Sequence, residues 1–467
     1  MIKTPATLSR RLVYPLQERL LGRQTFAMLD ELEQSQWLSR EAIEGLQRRR
    51  LARLLGIANA HCPWHAERLA AVGLGAVDAT TELAPDDLAR IPTMDKRDAQ
   101  LAGERMRWVG VPGGAQPYNT GGSSGAPLRF VFGRARQAAD AAGRMRARRW
   151  WGVEVGDPEV YLWGAPVELS RTDHIKRLRD RLLNQLVLDA FAMSAANMDH
   201  YLRVLERFDP VCLYGYASSL ALLAEHARVR RRIPRLRALR VVCTTGEPLY
   251  PYQRDIIRDV FGVAVANEFG SRDIGFTAHQ TPAGQLLLLS EGLILEVLDA
   301  AGRAVAPGEA GEAVITGLCS EAQPFIRYRT GDRVRLSAEP CRAGRGLHVI
   351  DAVLGRSTDF VVKPDGTVMH ALAVIYILRA IEGVAEFKVI QHALDVIEVQ
   401  LVTNARWRET SRQAIFAAFA ERLGAAVRVD IEQVAAIAPE ASGKHRYVVS
   451  RVSPPLGGAV EKEESSR

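Results

Sequence analysis

Lysine is scarce in this chain of 467 residues: only seven stand among 61 basic side chains, and the rest are arginine. Guanidinium groups fix planar anion contacts, whereas an ammonium is a mobile point charge, so a lysine against this background draws attention. Cysteine is scarcer still. Cys62, Cys212, Cys243, Cys319 and Cys341 are odd in number, scattered, and include no C-x-x-C pair. That excludes a disulfide framework and a compact zinc site, leaving buried apolar thiols as the reading. No uninterrupted apolar run of about 18 residues exists, so no membrane span is expected. The N-terminal stretch MIKTPATLSRRLVYPLQERLLGR has scattered basic residues and no apolar h-region, unlike a signal peptide. Acids are not lacking, at 54, so the net charge is a modest +7. The densest basic run, residues 228–240, reads as a helix face broken at Pro234 or as a site for an anionic ligand. Zinc-finger, RNP-type and helix-turn-helix signatures are missing, so no nucleic-acid partner is expected.

What is present is a globular composition, 47% hydrophobic and 25% charged, on a chain long enough for two or more domains. Residues 1–100 read as mostly helical, with three- and four-residue apolar spacing over 40–60 and 66–72. After a glycine-dense loop at 112–127, a strand is predicted at 130–132 and an Ala/Arg-rich helix at 134–150. Strands at 160–163, 239–243 and 263–267 then alternate with helices at 198–208, 218–232 and 252–261. This rhythm predicts a doubly wound α/β core. Beyond residue 284 short strands with Gly/Pro turns predict a smaller β-rich subdomain, and a last α+β unit follows residue 355.

Six segments carry chemistry. In YNTGGSSGAP, residues 118–127, glycines and hydroxyls can curl backbone N–H groups around an anion, although no Walker lysine follows. TTGEP, residues 244–248, and NEFGSRDIG, residues 267–275, each follow a strand directly, where doubly wound sheets place ligands. Phe269 can lie on a purine, Ser271 can donate to a phosphate and Asp273 can hold magnesium; each segment alone reads equally as an ordinary turn. In PFIRYRTGD, residues 324–332, Asp332 on a loop after T-G suits both hydroxyls of a ribose. Arg356 in LGRSTDFVV offers a second cation, and Lys444 in PEASGKHR is one of the rare lysines. Tyr214 and Tyr216 flank Gly215 where a ring can meet a flat substrate, though aromatic core filling reads equally well.

In this order and spacing the six segments resemble the adenylate-forming superfamily of acyl-CoA synthetases, luciferases and peptide-synthetase adenylation domains. PFIRYRTGD, EVLDAAGRAVAPGEAGEAVITG and GSRD carry a closer likeness to phenylacetate–CoA ligases and CapK-type proteins, and the likeness runs over residues 61–449. The resemblance implies an α/β fold with a large N-terminal AMP-binding domain, residues 1–356, of doubly wound sheets and a β-rich subdomain. A small α+β lid, residues 357–452, would rotate between two half-reactions, and residues 453–467 have the composition of a disordered tail. The implied activity is that of a cytoplasmic ligase using ATP and Mg2+ to turn a small carboxylic acid into an acyl-adenylate, release pyrophosphate and pass the acyl group to coenzyme A. The alternative is an acceptor other than coenzyme A in surface polysaccharide or cofactor biosynthesis, and a third reading is a non-catalytic protein on a retired enzyme fold.

Residue by residue, Thr120, Gly121, Gly122, Ser123, Ser124 and Gly125 would hold the β- and γ-phosphates. Gly246, Glu247 and Pro248 would line the adenine side, with Asn267, Phe269, Gly270 and Ser271 completing the nucleotide site. Asp273 would bind magnesium where the family usually has glutamate, and Phe269 stands where it usually has tyrosine. Asp332 would bind ribose, Arg356 ribose or phosphate, and Lys444 the carboxylate and α-phosphate. Trp163, Tyr214, Gly215, Tyr216, Ala217 and Glu268 would line the acid pocket. Thr358 replaces the usual hinge Asp or Lys, and residues 363–366 replace a glycine-basic run, departures that bear on coenzyme A and not on adenylation.

Overall fold

The computed structural model describes residues 3–119, 128–164, 173–190, 192–247, 249–354, 360–370, 372–437 and 447–452. The chain opens with helices. Ser39 Oγ accepts from the Ala42 N–H at 3.2 Å and starts the helix Arg40–His61, and Pro63 starts the next, Pro63–Ala70. An antiparallel hairpin, β1 (Ala115–Asn119) and β2 (Arg129–Gly133), follows. The glycine-rich segment connects its two strands, so a stretch expected to be loop from residue 112 is strand from Ala115.

One eleven-stranded sheet organises the middle of the chain. Its strands are β3 (Glu159–Trp163), β4 (Gln185–Asp189), β5 (Cys212–Tyr216), β6 (Val241–Thr245), β7 (Ala264–Ser271), β8 (Gly275–Gln280), β9 (Leu286–Leu288), β10 (Leu293–Leu298), β11 (Ala310–Gly317), β12 (Tyr328–Leu336) and β13 (Val349–Val353). They lie in the order β4-β3-β5-β6-β7-β8-β9-β13-β12-β11-β10. The first five are parallel and the remainder antiparallel. Buried on both faces, β5 and β6 read as near-continuous runs, CLYGY and VVCTT, as parallel strands do.

The helices Ala195–Phe208, Ala217–Val229 and Pro251–Phe261 make the crossovers between the parallel strands. Ser194 caps the first, while Pro251 opens and left-handed Gly262 (φ +70°) ends the last. The β-rich part is therefore continuous with the doubly wound part. They share β7, which pairs in parallel with β6 through residues 264–267 and antiparallel with β8 through residues 268–271.

Past residue 360 come the pair β14 (Phe360–Val362) and β15 (Val368–His370), then the helix Leu372–Ala380. A separate four-stranded sheet contains β16 (Val384–Ala393), β17 (Val396–Thr403), β18 (Arg428–Gln433) and β19 (Val448–Ser450), with the helix Glu409–Leu423 between β17 and β18. All five cysteines are free, four of them buried. In the basic run, Arg228, Arg230 and Arg232 pair with Glu225, Asp199 and Glu206, as a solvated helix face does. Among the described residues no helix is long and apolar enough to cross a membrane.

Candidate functional site

The carboxyl ends of β3, β5, β6 and β7 converge, and the expected acid-pocket residues meet there. Trp163 stacks on Tyr216 at 4.3 Å between ring centroids and 16° between planes, and on Tyr214 at 5.7 Å. Gly215 is the residue that lets β3 and β5 close up. A Cβ there would sit 2.5 Å from the Leu162 carbonyl oxygen.

Beneath this stack lies a charged layer. Glu268 is buried and accepts from the Tyr214 hydroxyl at 2.8 Å and from both Nε and Nη2 of Arg144 at 3.3 Å. Burial is the largest influence on the Glu268 pKa and works to raise it, but Arg144, His279 and Arg148 together outweigh it and hold the carboxyl below its usual value. The Tyr214 hydroxyl is pushed well up by burial and by Glu268. Arg148 lies 5.1 Å from the Tyr214 ring and pairs with Glu159. Glu268 thus sits locked under the aromatic stack rather than at its surface.

The residues expected on the nucleotide side follow along β7. The Asn267 N–H donates to Gln280 Oε1 at 3.2 Å, while its side-chain Oδ1 is buried without a hydrogen-bond partner among the described residues. Phe269 is half-buried against the core. A register shift separates it from Gly270, where a Cβ would come within 2.5 Å of the Gly275 oxygen. The tight turn after β7 is held by side chains: Ser271 Oγ donates to Asp273 Oδ1 at 2.6 Å and accepts from the Ile274 N–H at 3.2 Å. Tyr328 on β12 donates its hydroxyl to Asp273 Oδ2 at 2.9 Å. Buried Arg136 grips the turn from below, donating to the carbonyls of Arg272 and Asp273.

Asp332 stands four residues beyond that tyrosine on β12. Asp332 is not on a loop. It lies in a wide bulge where Ala313 of β11 faces Thr330, Gly331 and Asp332, because Glu312 pairs with Arg333 while Val314 pairs with Arg329. Gly331 takes φ +73°, Thr330 Oγ1 donates to the Ala313 carbonyl at 3.0 Å, and the Asp332 N–H donates to Thr330 Oγ1 at 3.1 Å. At the end of β6, Gly246 turns with φ +82° against the Tyr216 ring. Glu247 accepts from the Ser218 N–H, so its carboxylate caps the helix Ala217–Val229 at the positive end of the dipole. Thr120, Gly121, Gly122, Ser123, Ser124, Gly125, Pro248, Arg356, Thr358 and Lys444 lie outside the described residues.

The sequence reading missed the arginines. Arg136, Asp140, Arg144 and Arg148 recur every fourth residue on the helix Arg134–Arg149, one face by helical geometry, and that face turns toward β7 and β8. The spacing was there to be read. A burial pattern with charge facing inward runs against the usual amphipathic expectation.

Residues 361–451 match the family of CapK C-terminal domains. The chain is 23% identical to Protein CapK of Staphylococcus aureus over 71% of its own length and 74% of the relative's. It is 24% identical to a phenylacetate-coenzyme A ligase of Thermus thermophilus, over 81% of this chain and 85% of that one. Among solved structures, 2-hydroxyisobutyryl-CoA ligase in its postadenylation state superposes with a TM-score of 0.57 at 22% identity, covering 90% of this chain and 91% of the other. The same ligase with 2-HIB-AMP and CoA in the thioesterification state gives 0.61 at 19%, covering 89% and 91%. In sequence the chain is similar to CapK and to phenylacetate–CoA ligases, and it shares the fold of 2-hydroxyisobutyryl-CoA ligase.

Proposed function

We propose that this protein uses ATP to convert a small carboxylic acid to an acyl-adenylate with release of pyrophosphate, and then passes the acyl group to coenzyme A. One observation carries the reading. Tyr328 of β12 donates to Asp273 in the turn after β7, the strand whose Glu268 accepts from Tyr214 of the aromatic stack, at the carboxyl ends of the parallel strands. A nucleotide side at this turn would lie next to an acid side at the stack, as adenylation needs. The buried, unpartnered Asn267 Oδ1 suits an amino group of the base, Phe269 a ring face, and Asp332 the ribose hydroxyls.

Magnesium fits the residues present. No group of three or more His, Cys, Asp or Glu gathers among the described residues, and magnesium is usually held by one or two carboxylates together with substrate phosphates and water. Asp273 is such a carboxylate, with one hydroxyl donor on each oxygen and lone pairs to spare. When bound, the ion would neutralise charge on the phosphates. Lys444 would bring a second cation to the carboxylate and α-phosphate, and Arg356 and the segment 120–125 would hold the remaining phosphate and ribose oxygens. Because the mixed anhydride hydrolyses readily, the stacked rings of Trp163 and Tyr216 would serve to keep water from it.

Residues 1–356 would form the nucleotide-binding body and residues 357–452 a lid that rotates between half-reactions. Arg272 donates to the Tyr376 hydroxyl on the helix Leu372–Ala380, and this contact would break as the lid moves. Substrates of this kind would suit a cytoplasmic enzyme. A second reading, transfer to an acceptor other than coenzyme A, is favoured by the CapK-type match over residues 361–451. Pyrophosphate release from ATP is to be followed across a panel of carboxylic acids, with and without coenzyme A. A thioester formed only when coenzyme A is present supports the first reading. Pyrophosphate without thioester supports the second, and silence across the panel overturns both.

A further inference from the structure

The first helical stretch is built inside out. Ala6–Leu8, a π-turn at Ser9–Val13 and Tyr14–Leu20 form one helical rod, and the widened turn comes where Pro15 can offer no N–H. Its buried residues are Ser9, Tyr14 and Glu18. Its leucines face out: Leu8, Leu12, Leu16 and Leu20, spaced by four, are 46, 57, 52 and 79% exposed. The rod does not dangle. Arg10 Nε donates to the Val155 carbonyl at 2.8 Å, Gln185 Nε2 donates to the Tyr14 hydroxyl at 3.0 Å, and Asn184 receives and returns hydrogen bonds with the Thr4 backbone. It is therefore the body of the protein that holds the leucine ladder outward. The neighbouring helix Asp173–Leu182 adds Leu178 and Leu182, 59 and 40% exposed, and is tied to the rod by Thr4 Oγ1 donating to the Arg181 carbonyl at 3.3 Å.

The charge around this face decides what covers it. Glu18 is the one acid in residues 1–24; it is turned inward, where Arg23 and Thr25 donate to it. Arg11 and Arg19 are exposed beside the leucines, as is Arg181 on the adjoining helix, where Arg179 pairs with its neighbour Asp180. A second copy of the chain joined about a twofold axis would set this cationic rim against itself. An apolar ladder flanked by arginine is instead the chemistry of a helix lying in the headgroup layer of an anionic bilayer. We propose that residues 6–20 dock this protein peripherally on an anionic lipid surface, with the Leu8–Leu20 face inserted and Arg11 and Arg19 among the headgroups.

The test is flotation of the full-length protein with phosphatidylcholine vesicles, with and without phosphatidylglycerol, on wild type, a Leu12→Gln/Leu16→Gln/Leu20→Gln variant and an Arg11→Ala/Arg19→Ala variant. The expected result is binding to the phosphatidylglycerol vesicles that weakens with salt, falls at least about tenfold in the leucine variant and falls less in the arginine variant. Unchanged circular dichroism and melting temperature show that the variants fold. Failure of the wild type to float, or equal flotation of the leucine variant, overturns the proposal. So does a dimer in light scattering that the leucine variant abolishes while vesicles leave the protein unbound, since a second copy then covers the face.

Discussion

Replacing Tyr328 by phenylalanine tests whether Asp273 is oriented for a cation. The substitution removes one atom. The ring keeps its edge-on packing with Phe325 at 5.0 Å, so no cavity larger than the lost oxygen opens. What is lost is the 2.9 Å hydrogen bond to Asp273 Oδ2, leaving Ser271 Oγ at 2.6 Å on the other oxygen. A hydrogen bond to a charged group contributes about 1.5–3 kcal/mol, and because Asp273 is half-exposed, water replaces part of it and the lower figure applies. Removing a partner that orients a metal-binding carboxylate usually weakens the metal about 10–100-fold, and by the same argument the low end is expected here. The assay is ATP–pyrophosphate exchange as a function of magnesium concentration. The half-saturating concentration should rise about tenfold in Tyr328→Phe while the rate at saturating magnesium stays near wild type. Asp273→Asn should lose far more. A magnesium dependence identical to wild type in a normally melting Tyr328→Phe would refute the placement of magnesium on Asp273.

Three further outcomes are expected. Lys444→Ala should abolish ATP–pyrophosphate exchange, and full retention would remove that lysine from adenylation. Gly215→Ala should lower stability by about 3 kcal/mol, because its Cβ would meet the Leu162 backbone oxygen at 2.5 Å. Gly284→Ala, at φ +84° with no atom within 4 Å of the new methyl, should cost only about 1 kcal/mol; equal melting temperatures for the two would contradict the close approach of β3 and β5. The protein should also weaken in mild acid. Burial holds His65 at about 3, and His279 and His348 at about 4, so these rings stay neutral in the fold while their unfolded counterparts protonate near 6.5. The unfolded state then binds more protons, so stability present above about pH 6.5 is lost as the pH falls toward 4, at an order of 3 kcal/mol per ring. The depressed pKa of Glu268 acts in the same direction. Urea midpoints across that range read the slope; His279→Gln should flatten it, and a midpoint independent of pH would refute the burial argument.

Apolar periodicity made most helices legible, although the helix expected from residue 198 begins at Ala195, behind the cap Ser194. Strands with little apolar content escaped. RVDIEQ, which is β18, is mostly polar because it lies at the sheet edge, and GFTAHQ, which is β8, is too mixed to show a period of two. The segment 267–275 was expected to follow a strand ending at 267, whereas β7 runs on to Ser271 and only residues 272–274 turn, and the supports of that turn went unread. A hydrogen bond from Tyr328 to Asp273 links residues 55 apart, and nothing local encodes it. Likewise the T-G-D triplet reads as a loop by composition, whereas the neighbouring strand makes it a bulge.

The shared strand β7 has a consequence for the order of assembly. The hairpin that joins it to β8 closes over a three-residue turn and costs little chain entropy to form. Its first half must instead wait for β6 to arrive across a connection that includes the whole helix Pro251–Phe261. Local pairing precedes non-local pairing in most chains, so the Phe269–Asp273 end should acquire structure before Asn267 meets Thr244. The Ser271–Asp273 turn is thereby the earlier product of folding, and the β6–β7 pairing through Asn267 the later one. Pulsed hydrogen exchange should protect the amides of residues 275–280 ahead of those of residues 241–245.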